Sequence, residues 1–384
     1  MKRHTRNVIM ATSLGAGIAL SSGRAQAFYQ QTDLVSDIPG VAEFTDPNLV
    51  NPWGMSSSAT SPIWVSDNGT GVATVYRGNG QAVQVGTPPA PFVTIPDGAP
   101  TGQVFNPNPS PTNFGGAHFI FASENGAIDA WSGPGTAAVS NKGATTLDVY
   151  KGLALGTSSS GNTLYAANFR TGKIDTFNSS FAPVTLSGNF TDPNVPAGYA
   201  PFGIQNIGGK LYVTYALQDA AKHDDVRGPG NGFVDVFDLD GNPAGPVPGS
   251  PRLIDYVPLT GVLNSPWGLA VAPAGFGNFG GDLLVGNFGD GTINAFDPST
   301  GTFLGTLDDA SGNPIVIPGL WGLLFGNGGN GGATDQLFFS AGIPGPGGNV
   351  EDNGLFGFLA IPEPSTFALL IPAMALLALR RRRA

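Results

Sequence analysis

The stretch SDNGTGVATVY, residues 66–76, closes a polar turn with a glycine and then alternates through to an aromatic residue. Asn-Gly and Asp-Gly tolerate the positive φ angles of tight hairpin turns, and period-2 alternation is typical of a strand with one buried face. The pattern occurs six times and indicates a repeated hairpin. Its glycines are Gly71, Gly126, Gly172, Gly232, Gly291 and Gly354, followed by Tyr76, Trp131, Phe177, Phe237, Phe296 and, one position early, Phe358.

Further apolar segments precede each hairpin. Most copies have a second strand just upstream, such as PIWVSD at 62–67. Further upstream, four copies show a glycine within an apolar stretch: NPWGM at 51–55, APFGI at 200–204, SPWGLAV at 265–271 and GLWGLLF at 319–325. KGLAL at 151–155 is a weaker version, and the second copy offers only FGGAHF. Each copy therefore predicts one four-stranded sheet.

The repeats define the fold class. Successive turn glycines are 46 to 63 residues apart, which is one four-stranded sheet plus its loops. Six such sheets around an axis form an all-β, six-bladed β-propeller, and a strand at 31–35 would complete the last blade and close the ring. Two β-sandwich domains are the alternative, but their strands would not repeat one motif six times.

Composition agrees with many short strands and restricts the chemistry. The chain of 384 residues has 58 Gly, 33 Pro and only 11% charged residues, which is too few charges for solvated helices. Its lack of cysteine excludes disulfides, thiolate metal sites and a cysteine nucleophile.

The first 27 residues read as a secretory signal peptide. Lys2, Arg3 and Arg6 precede the mostly apolar run VIMATSLGAGIAL, which leads to Ala25-Gln26-Ala27. A basic start, a short apolar region and a small-x-small site predict cleavage after Ala27. The propeller would then occupy residues 28–361.

Residues 362–384 form a separate segment. Pro362, Glu363 and Pro364 precede an apolar run over 367–379, which predicts a short helix, and then a cluster of arginines. The run is shorter than the roughly 20 residues that a spanning helix needs, and the arginines would stay on the cytoplasmic side. The cluster is Arg380, Arg381, Arg382 and Arg383.

This tail resembles the PEP-CTERM sorting signal of exopolysaccharide-producing Gram-negative bacteria. The resemblance implies brief anchoring in the inner membrane and cleavage near Pro362 to Pro364 by an exosortase-type protease. It further implies delivery to the cell surface or extracellular matrix.

The body also resembles a conserved, functionally uncharacterised bacterial family of exported propellers. The shared residues are LVSDIPGVAEFTDPNLVNPWGM at 34–55 and WVSDNGTG at 64–71. That resemblance implies export and a propeller but no reaction. Without its two ends the body has nine Lys and Arg against 26 Asp and Glu, a net charge of −17, so nucleic acid and anionic polymers are poor partners.

Candidate ligand-binding residues precede the innermost strands, because these loops converge near the axis of a propeller. Aromatic rings and amides there could stack on and hydrogen-bond a sugar or peptide, although packing between blades is the favoured interpretation. The candidates are Asn51, Trp53, Phe202, Trp267 and Trp321.

No catalytic residue emerges. His223 lies near Asp219, Asp224 and Asp225 in the most polar loop, where a solvated turn is favoured over a metal site. Glutamates are scarce, at Glu43, Glu124 and Glu351 in the body, which weakens a metal-dependent lactonase interpretation. No cofactor is predicted, and calcium binding stays open.

The sequence therefore predicts an exported binding or structural module rather than an enzyme. Its expected partners are the processing protease and either matrix polysaccharide or a surface protein, with membrane contact only through the tail. The alternative is an extracellular metal-dependent hydrolase with its site at the propeller channel. The ligand, the oligomeric state and the metal content are left open.

Overall fold

The computed structural model describes residues 28–362 as six β-sheets arranged as blades. Beyond β1 (Gln30–Ser36) and β2 (Phe44–Thr45), blade 1 contains β3 (Pro52–Ser56), β4 (Ile63–Asp67), β5 (Val72–Tyr76) and β6 (Phe92–Thr94). Blade 2 contains β7 (Pro100–Phe105), β8 (Phe119–Ser123), β9 (Ile128–Trp131) and β10 (Val139–Lys142). Blade 3 contains β11 (Tyr150–Ser158), β12 (Gly161–Asn168) and β13 (Lys173–Asn178).

The second half continues in the same way. Blade 4 contains β14 (Tyr199–Ile207), β15 (Lys210–Leu217), β16 (Phe233–Asp238) and β17 (Arg252–Ile254). Blade 5 contains β18 (Pro266–Val271), β19 (Leu283–Asn287), β20 (Ile293–Phe296) and β21 (Phe303–Thr306). Blade 6 contains β22 (Leu320–Phe325), β23 (Leu337–Ala341) and β24 (Leu355–Ala360) together with β1 and β2. Two short 3-10 turns cover Phe114–Gly116 and Gly277–Phe279.

The first strand of each blade lies innermost. Strands β3, β7, β11, β14, β18 and β22 each contact the next around the axis, and β22 contacts β3. This closed circle of contacts confirms the predicted six-bladed β-propeller.

The ring is closed by the start of the chain. Strand β1 pairs antiparallel with β24, from Gln30 opposite Ala360 to Ser36 opposite Leu355. The Ser36 hydroxyl donates to the carbonyl of Gly354 at 2.8 Å. The predicted closing strand at 31–35 is therefore confirmed.

A ring of six glycines lets the blades approach one another. A Cβ on Gly54 would lie 2.5 Å from the Thr101 carbonyl oxygen, and one on Gly322 would lie 2.7 Å from that of Trp53. No side chain fits at such positions without moving a backbone. The ring consists of Gly54, Gly102, Gly152, Gly203, Gly268 and Gly322.

The structure corrects the prediction for blade 2. FGGAHF is not its inner strand, since Phe114–Gly116 is a 3-10 turn. The inner strand is β7, with sequence PTGQVF and ring glycine Gly102. Thr101 and Gln103 of this strand are polar and are buried against neighbouring carbonyl groups. The strand is therefore not an apolar run, and the repeat pattern did not predict it.

The turn glycines have two different roles. Four of the six have the expected positive φ: Gly71, Gly126, Gly172 and Gly291. Gly232 and Gly354 instead follow long loops, and a Cβ on them would collide with Pro266 and with the Leu49 carbonyl respectively. At these two positions close packing, rather than turn geometry, requires glycine.

Blade 3 has three strands, not the predicted four. Residues 182–184 pair with only one end of β13, for example through Val184 N–H to the Thr176 carbonyl at 3.0 Å. The segment that could supply a fourth strand contains Pro183, Pro193 and Pro196, which lack the backbone donor that a ladder needs. A groove of about 830 Å³ runs beside the open edge of β13.

The predicted signal peptide with Ala25 and Ala27, and the sorting residues Glu363, Pro364 and Arg380 to Arg383, lie outside the described residues. Pro362 is the last residue described. Between residues 28 and 362, no helix has the length and apolar character needed to cross a bilayer.

Candidate functional site

The residue before each ring glycine belongs to a six-membered set around the axis. Trp53 stacks on Trp321 with 3.4 Å between ring centroids, and Trp267 meets both rings edge-on at about 6 Å. Phe202 packs 5.8 Å from Trp321. The set is Trp53, Thr101, Lys151, Phe202, Trp267 and Trp321.

An aromatic plug closes the channel. Phe288 stacks on Trp321 at 3.8 Å, and Phe169 packs 5.2 Å from Phe202. All its members are at most 9% exposed, so their rings serve packing between blades. The aromatic plug consists of Trp53, Phe169, Phe202, Trp267, Phe288 and Trp321.

The structure thus brings the predicted ligand-binding residues together but buries them. Trp53, Phe202 and Trp321 are 1% exposed or less, and Asn51 is 5% exposed. The favoured packing interpretation fits this burial. Ligand contact by these rings stays a prediction, and it would require the plug to move.

A polar layer covers the plug at one end of the channel. The Trp321 indole donates to Asn51 Oδ1 at 3.0 Å, and Asn51 Nδ2 donates to Glu351 Oε1 at 3.2 Å. Asn68 Nδ2 donates to Glu124 Oε2 at 2.8 Å. These side chains come from the starts of inner strands and from the loops after second strands, which share one end of an antiparallel blade.

Lys151 is the centre of this layer. It is 2% exposed, and its ammonium group binds Glu124 and, at 3.2 Å, Asp224 Oδ1. It also lies 5.0 Å from the Trp53 ring centroid. Burial lowers the pKa of Lys151, but the charges of Glu124 and Asp224 outweigh burial and raise it overall, so the buried amine stays protonated.

Three potential metal ligands meet beside this ammonium group. In the described part of the chain, the ligand atoms of Glu124, His223 and Asp224 lie within 4.8 Å of one another. His223 Nδ1 is 2.9 Å from Asp224 Oδ1. Carboxylates and imidazole could hold a metal ion. Here the Lys151 ammonium already provides the positive charge that both carboxylates contact.

The three aspartates near His223 have different surroundings. Asp219 accepts from the His223 backbone N–H at 2.8 Å and shapes the turn, whereas Asp224 contacts Lys151 at the channel mouth. Burial raises the pKa of Asp225, whose carboxyl lies near Ser265 and within reach of the Lys151 and Arg227 charges. Sequence reasoning missed Lys151 and Glu124 as partners, although Lys151 precedes a ring glycine as the tryptophans do.

Glu351 adds a group that titrates near neutrality. Burial, then the negative charge of Glu124, raises the pKa of Glu351 to about 7. Lys151 and the hydrogen bond from Asn51 act in the opposite direction but do not offset burial. Glu351 can therefore exchange a proton at the channel mouth around pH 7.

An open pocket of about 390 Å³ adjoins the polar layer. Its volume lies in the range of about 300–1,000 Å³ typical of ligand sites. Glu124 and His223 join it to the channel mouth, and Arg170 lines it. The Arg170 Nη1 donates to the Thr146 carbonyl, whereas its Nε is buried and has no hydrogen-bond partner among residues 28–362. The remaining lining is Asn125, Ala144, Thr145, Thr146, Asp148 and Val149.

The fold and this site define the chain as a six-bladed β-propeller with a plugged channel and a charged mouth. No family model matches the sequence. The chain belongs to the same family as two uncharacterised proteins of Acanthamoeba polyphaga mimivirus. It is 32% identical to one over 315 residues, covering 78% of this chain and 74% of the relative, and 33% identical to the other over 315 residues, covering 78% and 79%.

Solved propellers resemble the chain more distantly. Virginiamycin B lyase from Staphylococcus aureus is 14% identical with a TM-score of 0.44, covering 87% of this chain and 99% of that one. A gluconolactonase from Xanthomonas campestris is 14% identical with a TM-score of 0.47, covering 81% and 87%. Similarity at this level carries no argument about activity. Membership of the bacterial exported family stays a prediction.

Proposed function

We propose that this protein is an exported binding module that takes a hydroxyl-rich polysaccharide in the pocket beside the channel mouth. The observation that carries the proposal is the combination of a plugged axis with an open pocket that has both charged and apolar lining residues. The aromatic rings of the plug pack on one another, and Lys151 is engaged in ion pairs with Glu124 and Asp224. Glu124, His223 and Arg170 line the open pocket beside them.

Charge restricts the ligand class. The acidic body repels anionic polymers, and Glu124 and Asp224 neutralise the Lys151 ammonium group at the mouth. The Arg170 guanidinium shares the pocket lining with the carboxylates of Glu124 and Asp148. Carboxylates accept hydrogen bonds from hydroxyl or ammonium groups. A neutral or amine-bearing polysaccharide therefore fits better than an anionic one.

Binding is tested by calorimetry on residues 28–361 with three polymers: laminarin, partially deacetylated poly-N-acetylglucosamine and alginate. We expect binding to at least one of the first two and none to alginate. His223→Ala removes a pocket hydrogen bond and should weaken binding about 10-fold, as expected for a loss of about 1.4 kcal/mol. His118→Ala, far from the pocket, is the matched control and should not.

Failure of both non-anionic polymers, or equal binding by His223→Ala, would exclude the pocket as a polysaccharide site. In that case a surface protein becomes the partner to pursue. The open edge of β13 and its groove would then be the first surface to test.

We further propose that the protein reaches this partner by export and sorting. The support is the sequence pattern alone: the basic and apolar N-terminus, and Pro362 to Pro364 with the arginine cluster. Intact-mass measurement of surface-located protein should find residues 1–27 and the Arg380 to Arg383 segment removed. Retention of the arginines on most surface protein would contradict processing by an exosortase-type protease.

A second candidate is a metal-dependent hydrolase or lactonase, and Glu124, His223 and Asp224 within 4.8 Å are the observation that favours it. It predicts that manganese or calcium, added to chelator-treated protein, activates hydrolysis of a lactone, and that Asp224→Asn removes the activation. The Lys151 ammonium group opposes this function, since a divalent ion would have to displace it. No metal-dependent turnover would leave the binding module as the only candidate.

A further inference from the structure

Blade 4 contains a buried pair of aspartates with a cation between them. Asp235 on β16 and Asp192 in the connection before β14 both bind the guanidinium of Arg252. Both carboxylates have 0% side-chain exposure, and Arg252 Nε lies 2.7 Å from Asp235 Oδ1. Arg252 comes from β17, where it pairs in register with Asp235.

Blade 2 has the same two aspartates without the arginine. Asp129 on β9 is equivalent to Asp235, and Asp97 lies in the connection before the inner strand β7, as Asp192 does before β14. The residue in register with Asp129 on the fourth strand is Ser140. The third side chain of the set is therefore a small hydroxyl instead of a cation.

The blade 2 carboxylates lack a cationic partner. Asp129 is 0% exposed, no amide, hydroxyl or cationic side chain within residues 28–362 donates to its oxygens, and its polar neighbour is Asp97. Oδ2 of Asp97 is likewise buried and unpartnered. None of the ion pairs in the described part of the chain includes either residue, and Lys142, the nearest lysine along β10, is held by Asp148 at 3.0 Å. Buried carboxylates without partners are costly and therefore point to a missing cation.

We propose that Asp97 and Asp129 bind one calcium ion between the third strand of blade 2 and the connection before β7, a site independent of the channel mouth. Two carboxylates supply a charge of −2, which a divalent ion balances. Calcium accepts irregular sets of oxygen ligands, whereas magnesium demands a nearly regular octahedron. Ser140 can add its hydroxyl oxygen, because residues paired in register on antiparallel strands present their side chains on the same face.

The two carboxyl groups lie close together, since Asp97 is the neighbouring charge that acts on Asp129. The carboxylates facing the ion come from β9 and from the connection before β7, and Asn125 fixes that connection by donating to the Asp97 carbonyl at 2.8 Å.

The test uses the purified protein after chelation, with calorimetric titration and thermal unfolding at pH 8. Wild type should bind one calcium, and its Tm should rise by about 5 °C at a calcium concentration roughly 100 times the dissociation constant. Asp129→Asn should lose both responses. Its metal-free Tm should equal or exceed that of wild type at this pH because one buried charge is gone.

Ser140→Arg provides an independent variant. It recreates the blade 4 arrangement and should raise the metal-free Tm while abolishing calcium binding. Asp297→Asn, an exposed turn residue whose amide oxygen can still accept the turn hydrogen bonds, is the matched control and should keep the wild-type response.

Three outcomes would overturn the proposal. They are no calcium-dependent shift in wild type at pH 8, a full shift retained by Asp129→Asn, or loss of the shift in Asp224→Asn. The last result would place the ion at the channel mouth instead.

Discussion

Lys151→Met should destabilise the propeller because it leaves buried carboxylates without their cation. Removing one partner of a buried ion pair costs about 3–5 kcal/mol. Asp224 is 65% exposed and can be solvated, so the penalty falls on Glu124, whose side chain is 13% exposed. We therefore expect the low end, about 3 kcal/mol, or a Tm lower by roughly 6 °C at ~2 °C per kcal/mol.

Differential scanning calorimetry at pH 7.5 provides the measurement. Lys173→Met makes the same substitution at an exposed lysine on β13 and should shift Tm by no more than about 1 °C. Adding Glu124→Gln to Lys151→Met removes the unpaired charge and should recover about half of the loss.

Charge balance by Lys151 is refuted if Lys151→Met has the same Tm shift as the Lys173→Met control. It also fails if Glu124→Gln deepens the loss instead of reducing it. Either result would mean that the ammonium group contributes through packing on Trp53 rather than by balancing charge.

Three further changes test other parts of the structure. Glu351 holds its proton more tightly in the folded chain than in the unfolded chain, so the free energy of unfolding should fall as pH rises from about 4.5 to about 7. Glu351→Gln should remove up to about 3 kcal/mol of that fall, measured by unfolding across this pH range. Gly102→Ala puts a Cβ 2.7–2.8 Å from the Gly152 backbone and should lower Tm by several degrees or prevent folding. The control Gly143→Ala adds a Cβ that meets nothing within 4 Å and should change Tm by less than about 2 °C. Arg252→Met leaves two buried aspartate side chains unpaired and should lower the free energy of unfolding by about 3–5 kcal/mol in chemical denaturation at pH 8. The loss should be smaller at pH 5, because burial raises the pKa of Asp235 to about 7 and its carboxyl is then protonated.

The repeat of glycine, alternation and aromatic was enough to predict six blades because it records local hairpin chemistry. The closing strand at 31–35 was predictable for a related reason, since the last repeat lacked a fourth strand. Blade 2 was mispredicted where buried polar residues replaced apolar ones in β7. Blade 3 lacks an outer strand because prolines interrupt the segment between 183 and 196, and this is evident only from the pairing of its strands.

The site was harder to predict than the fold. Lys151 contacts Glu124 from 27 positions away and Asp224 from 73 positions away, so three blades must be assembled before the cluster exists. A single sequence shows each of these residues in an ordinary turn or strand. One signal was available: the residue before each ring glycine is Trp, Thr, Lys, Phe, Trp or Trp, and a lysine among aromatics marks a position where the interior needs a charge.

Because β1 pairs with β24, the ring can close only after the chain has been made as far as β24. The first and the last strands of the propeller to be made must pair across more than 300 residues, as the Ser36 to Gly354 hydrogen bond shows. A product that stops before β24 leaves β1 as an unpaired edge and blade 6 unfinished, so it is open to proteolysis. Only a body that includes β24 can complete the ring, and an incomplete one should be degraded.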